Sequence, residues 1–226
     1  MKKAFTLLEL IFIIIIVAII TTIMLPDSRS TKLSEAATQL VSHIRYTQHL
    51  AMIDDRFDIS DSTWFQEMWQ IRFTGGSSAS SDYKVAYGIF SDIDKNQAPT
   101  VGGNVALDPI SGKYITGGVT NAIKYNHSKS LREANLGIAY GVTGINFNSN
   151  CQFNGSMRIA FDHLGRPIRG DLGSPTNSNT YAGDGTANSG ALKLLPGTCE
   201  ITLSNGVDNN ITIEIEPETG YTHIKK

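Results

Sequence analysis

Four sets of residues have the types and spacing for chemistry. Glu9 is a lone carboxylate near the start of the apolar run 5–25, behind Lys2 and Lys3. A charge inside such a span costs a few kcal/mol even on lenient insertion scales, so it calls for a partner. Asp92, Asp94 and Asn96 place three oxygen ligands at alternate positions, as a calcium loop begins. The glycine and glutamate that such loops carry at the sixth and twelfth positions are missing, and a solvated Asp-Asn turn is the competing reading. Arg166 and Arg169, with Lys225 and Lys226, form a small cationic set. It suffices only for weak, salt-sensitive contact with nucleic acid, and solvated turn residues compete with it. Cys151 and Cys199 are the only cysteines.

No catalytic constellation emerges. His43, His49, His127, His163 and His223 form no His-x-x-x-His pattern. No serine sits in a Gly-x-Ser-x-Gly elbow, and there is no glycine-rich phosphate loop. The chain reads as a non-enzyme, with calcium as its one candidate cofactor.

The elements that position these residues begin with the apolar run. Its 21 residues would make a helix of roughly 31 Å, enough for the ~30 Å hydrocarbon core of a bilayer. A secretory signal peptide has a shorter apolar region, ~7–15 residues, and a small-x-small cleavage site. No Ala-x-Ala follows Ala18. After Pro26, Leu33, Ala36, Ala37, Leu40, Val41, Ile44, Ala51 and Met52 recur at three- and four-residue steps. Lys32, Ser34, Glu35, Gln39, His43, Arg45, Gln48 and His49 lie between them. This predicts an amphipathic helix that continues the apolar one to Ile53, with a kink at Pro26.

The remainder reads as β-rich. Trp69, Ile71 and Phe73 alternate with Gln70 and Arg72, within a strand reading of 64–73. Residues 83–90, 144–147 and 157–161 predict further strands, and 118–125 a short one. Residues 199–203 and 211–215 predict a final hairpin. Residues 75–81 read as a flexible turn, 91–118 as irregular, and 170–190, poor in apolar residues, as a long loop. The fold class expected is α+β, a long N-terminal helix packed on an antiparallel β head. The net charge of −2 gives no global bias toward nucleic acid, and about 200 residues outside the apolar run suffice for one compact domain.

Lys2-Lys3-Ala4-Phe5-Thr6-Leu7-Leu8-Glu9-Leu10 resembles the processing site of type IV pilins and of type II secretion pseudopilins. The resemblance implies a leader at 1–4 cut by prepilin peptidase between Ala4 and Phe5, and N-methylation of Phe5. Ala4 departs from the glycine usual there. Segments 5–25 and 26–53 would be the membrane or filament-core half and the amphipathic half of one pilin-like helix, and 54–226 the head. Glu9 matches the family's glutamate and Pro26 its helix-kinking proline. Glu9 would then pair with the Phe5 amine of a neighbouring subunit, since an unpaired buried charge is far costlier than a paired one.

Ile159 to Pro167 and Ile211 to Tyr221 are similar to the two C-terminal signatures of H-type minor pseudopilins. The implied function is a structural subunit of a short secretion filament. The implied place is the bacterial inner membrane, single-pass, with a periplasmic head that later joins the pseudopilus. Implied partners are other pilins, the peptidase, the inner-membrane assembly platform and the bilayer. The alternative is a minor pilin for DNA uptake or adhesion. Some such pilins bind DNA through Gly-Arg-x-Arg, and here the second arginine falls one position later. Major pseudopilins hold calcium in a head loop, which gives the Asp92 reading its context. An exported head also has an oxidising compartment, which favours a disulfide between Cys151 and Cys199. Closing about 49 residues is worth ~4 kcal/mol in the chain-entropy estimate. Two buried thiols are the alternative, and a zinc site would need further ligands.

Overall fold

A computed structural model describes residues 6–24, 28–61, 63–96, 98–100, 104–120, 122–153, 155–172, 194–206 and 210–225. Ala4, Phe5, Pro26 and Lys226 lie outside them, as does most of the long loop expected at 170–190. The chain is α+β. Two long helices, Leu7–Met24 (α1) and Ser28–Ile53 (α2), precede a head of two antiparallel sheets. Among the described residues, no helix is long and apolar enough to cross a membrane. The 18 residues of α1 span about 27 Å, against the roughly 31 Å expected of 5–25.

The predicted stripe of α2 is the spine of the core. Leu33, Ala36, Ala37, Leu40, Val41, Ile44 and Ala51 are all buried. Two residues depart from the expected pattern. Met52 is 54 % exposed, because the helix ends one residue later. His43, expected on the wet face, is 9 % exposed, because a tyrosine from the head meets it. Beyond Ile53 the chain is pinned where Asp54 accepts hydrogen bonds from Trp69 Nε1 at 2.9 Å and Arg56 at 2.5 Å.

The first sheet contains Trp69–Gly75 (β1), Val85–Ser91 (β2), Arg158–Phe161 (β4) and Pro167–Arg169 (β5), in the order β2-β1-β4-β5. The second contains Gly144–Phe147 (β3), Cys199–Ser204 (β6), Ile211–Ile215 (β7) and Thr222–Ile224 (β8), in the order β3-β6-β7-β8. In β1 and β4, Ile71, Phe73, Ile159 and Phe161 face the core under α2. Ala160 faces a smaller cluster with Phe65, Met68, Ile168 and Leu172. Both faces of the first sheet are therefore covered, which is why β2 is buried along its whole length. The second sheet puts Ile201, Leu203, Ile213 and Ile215 inward and carries Glu200, Thr202, Thr212 and Glu214 on its other face, the alternation of a sheet with one wet side.

Several local expectations are corrected. Residues Trp64–Glu67 form a 3₁₀ turn rather than the start of β1. The described residues of the expected strand at 118–125 form no strand, and Gly118 has φ +93°, outside the extended region that a strand needs. A Cβ on Gly117 would lie 2.4 Å from the Ala134 carbonyl, and one on Gly118 2.1 Å from that of Ser80. Residues 79–81, within the expected flexible turn, form a short 3₁₀ turn in which Ser80 and Ser81 are buried. The short helix Leu136–Tyr140 (α3), capped by Asn135, was not expected, nor was β8.

Cys151 and Cys199 form a disulfide, with Cα atoms 4.8 Å apart. It joins the chain beyond β3 to the first residue of β6, its neighbour in the second sheet.

Gln48 of α2 ties the two sheets together. Its Nε2 donates at 2.8 Å to the carbonyls of Gly165, in the β4–β5 turn, and of Thr219, in the β7–β8 turn. Gly220 has φ +65°, and a Cβ there would sit 2.5 Å from Gln48 Nε2 and 2.6 Å from the Gly165 carbonyl. Gly141 also has positive φ, at +74°, but nothing lies within 4 Å of a Cβ there. Gly220→Ala should therefore cost about 2 kcal/mol more than Gly141→Ala, since only the first adds a clash to the backbone strain. Urea unfolding of the full chain in detergent micelles, followed by tryptophan fluorescence, measures the difference; equal midpoints would contradict it.

Candidate functional site

Glu9 lies in the first turn of α1 and Thr6 caps it. The Thr6 hydroxyl accepts from the Glu9 N–H at 3.3 Å, and the Thr6 carbonyl accepts from the N–H groups of Glu9 and Leu10 at 3.1 and 3.2 Å. Threonine at the cap with glutamate three residues on is half of a capping box. An acid in the first turn is also favoured by the helix dipole. Glu9 thus has a local role, but among the described residues its carboxylate has no partner. Around it α1 is apolar on every side. Every described side chain from Leu7 to Ile20 is exposed, Leu7 at 77 %.

The two arginines expected as a cationic set are bound within the head. Arg166 Nε donates at 2.7 Å to Asp162, whose side chain is fully buried. Arg169 Nη1 donates to the Ser149 carbonyl at 2.8 Å, and its guanidinium lies 5.7 Å above the Phe153 ring. Burial lowers the pKa of Arg169. Lys225 sits between Glu200 and Glu214. Of the expected cationic set, Arg166, Arg169 and Lys225 each make contacts within the head, and Lys226 lies outside the described residues.

The three calcium candidates do not share one environment. Asp92 is 2 % exposed, whereas Asp94 and Asn96 are exposed. The Asp94 carboxylate accepts from Asn96 Nδ2 at 2.7 Å and Thr100 Oγ1 at 3.1 Å. Among the described residues, Glu214, Glu216 and His223 bring ligand atoms within 4.8 Å of one another. Lys225 already holds Glu214 at 2.9 Å, so an ammonium group occupies part of that cluster.

One arrangement had no local signal in the sequence. Gln39 and His43, four residues apart on α2, meet two tyrosines from the head. The Tyr140 hydroxyl donates to Gln39 Oε1. Gln39 Nε2 donates to the Tyr87 oxygen at 3.0 Å, and that hydroxyl lies 2.6 Å from His43 Nδ1. Tyr87 is fully buried, so its hydroxyl needs these partners. Tyr87 is 44 residues from His43 and Tyr140 is 101 from Gln39, so spacing could not reveal the chain of bonds. Burial pushes the His43 imidazole below its usual 6.5, while the carboxylates of Asp108 and Glu133 pull the other way. Burial, with Glu133 and Glu35, pushes the Tyr140 phenol up.

His43 binds fewer protons in the folded chain than in the unfolded chain, so its contribution falls with acidification. The loss should begin near pH 6.5 and grow toward the lower folded-state value. His43→Gln should flatten that part of the stability profile, checked by urea midpoints of both chains at pH 7.5 and 5.5; parallel profiles would refute the assignment. Compared with protein families, curated proteins and solved structures, the chain gives no match.

Proposed function

We propose that the chain is a structural subunit of the minor pseudopilin type, held in the inner membrane by its N-terminal segment and then assembled into a short secretion filament. The observation that carries this reading is α1, an all-round apolar helix exposed along its described length around one carboxylate that has no partner among the described residues. Such a surface is stable only inside a bilayer or against other helices. The amphipathic α2 beneath two sheets supplies the other half of the expected architecture. Cleavage between Ala4 and Phe5 would free a cationic amine, and Glu9 of an adjoining copy would neutralise it. The reading requires a membrane-length helix over 5–25, and residues 5 and 25 lie outside the described residues. Against the DNA-binding alternative, Arg166 and Arg169 make contacts within the head.

Mass spectrometry of mature protein from cells with the peptidase should give a chain beginning at N-methylated Phe5. Glu9→Val should still insert in the membrane but lose at least about 90 % of its co-purification with partner pilins, in line with the cost of an uncompensated buried charge. An intact leader, or normal co-purification of the variant, would overturn the reading.

A further inference from the structure

A groove of about 430 Å³ runs along α2, lined by Ser34, Glu35, Thr38, Gln39, Ser42 and His43. Gln39 and His43 on its floor belong to the bonded chain that runs from Tyr140 through Gln39 and Tyr87 to His43. His43 is more than nine-tenths buried. Its Nδ1 is engaged by Tyr87, and Nε2 has no partner among the described residues. The charges acting on this floor are all negative: Asp108 and Glu133 act on His43, and Glu35 and Glu133 on Tyr140. Asp108 also acts on Tyr46, one turn further along α2. These carboxylates come from the helix itself, from the segment after β2 and from the turn before α3.

We propose that this groove binds one basic side chain, lysine or arginine, of a protein partner, which donates a hydrogen bond to His43 Nε2 and is held by Glu35, Glu133 and Asp108. The proposal stands whether or not the chain joins a filament.

The floor is built for a donor in a specific way. With Gln39 Nε2 on Tyr87, the Tyr87 proton goes to His43 Nδ1, and Nε2 carries the imidazole hydrogen. Each phenol both donates and accepts, and the Gln39 amide can turn over. All three bonds then reverse, Nδ1 carries the hydrogen, and Nε2 becomes a bare acceptor on a residue that lines the groove. Both directions make the same number of bonds, so the occupant decides between them. A cationic N–H donor among carboxylates selects the second. A charge-assisted bond of this kind is roughly twice as strong as a neutral one.

The test uses the full chain in detergent micelles with ¹⁵N-labelled histidine. The probes are N-acetyl-arginine methylamide and its uncharged isostere, N-acetyl-citrulline methylamide, at low salt and pH 7.5. The arginine probe should give a saturable change at His43, with the Nε2 resonance moving from the protonated to the acceptor position. The citrulline probe should bind about tenfold more weakly or not at all. Glu35→Gln with Glu133→Gln, both exposed positions, should weaken the arginine probe about tenfold, equivalent to about 1.4 kcal/mol. An unsaturable response, equal responses to the two probes, or an unchanged response in the double variant would each overturn the proposal.

Discussion

The apolar stripe of α2 must be kept from water, and no single sheet of this chain can cover it. From Leu33 to Ala51 the stripe runs about 27 Å at 1.5 Å per residue. Four strands at ~4.8 Å spacing cover about 19 Å, and a seven-residue strand reaches about 23 Å. Two sheets are therefore recruited to one helix, and the order of the head follows. β1 and β4 meet α2 from one sheet, and β6, β7 and β8 from the other. The strand β8 is drawn in by Arg45, which donates from Nε and Nη2 to the Thr222 carbonyl at 2.9 and 2.7 Å. That bond occupies a group at the edge of the second sheet.

Much of this frame was legible because it depends on short periods. The 3.6-residue pattern of α2 ends at Ile53 in sequence and structure alike. The alternation in β1, β4, β6 and β7 needs only four to seven residues to declare itself. The parts that escaped are short or nonlocal. Thr222–Ile224 is too brief to show alternation, and Leu136–Tyr140 too brief to show a helical stripe. The division of eight strands into two sheets is set by which hydrophobic face reaches α2, and no local window contains that information. The difference at residues 118–125 is of another kind: Gly118 turns the backbone out of the extended region with φ +93°, and close approaches to distant carbonyls at Gly117 and Gly118 leave no room for a side chain.

The candidate sites divide in the same way. Glu9 was conspicuous because a charge in an apolar run is rare, and the Thr6 cap beside it follows a four-residue rule. Arg166 and Arg169 looked available because their acceptors are invisible in the sequence: a buried carboxylate four residues back, and carbonyls 17 to 20 residues away. His43 was assigned to water for the converse reason. Its helical position is flanked by polar residues, and only the arrival of Tyr87 takes it inside. A polar residue on the margin of an apolar stripe is decided by what the rest of the fold brings to it.

The disulfide shapes what lies between its ends. Cys151 and Cys199 stand 48 positions apart yet close on one sheet, and the chain between them leaves to build β4 and β5 in the other. The covalent link turns that departure into a closed circuit anchored at its mouth. Because closure entropy grows only slowly with contour length, the length of that circuit matters far less to the cost of closing it than the link itself. The helix-facing strands on either side are held in place by one covalent bond rather than by the path of the chain between them.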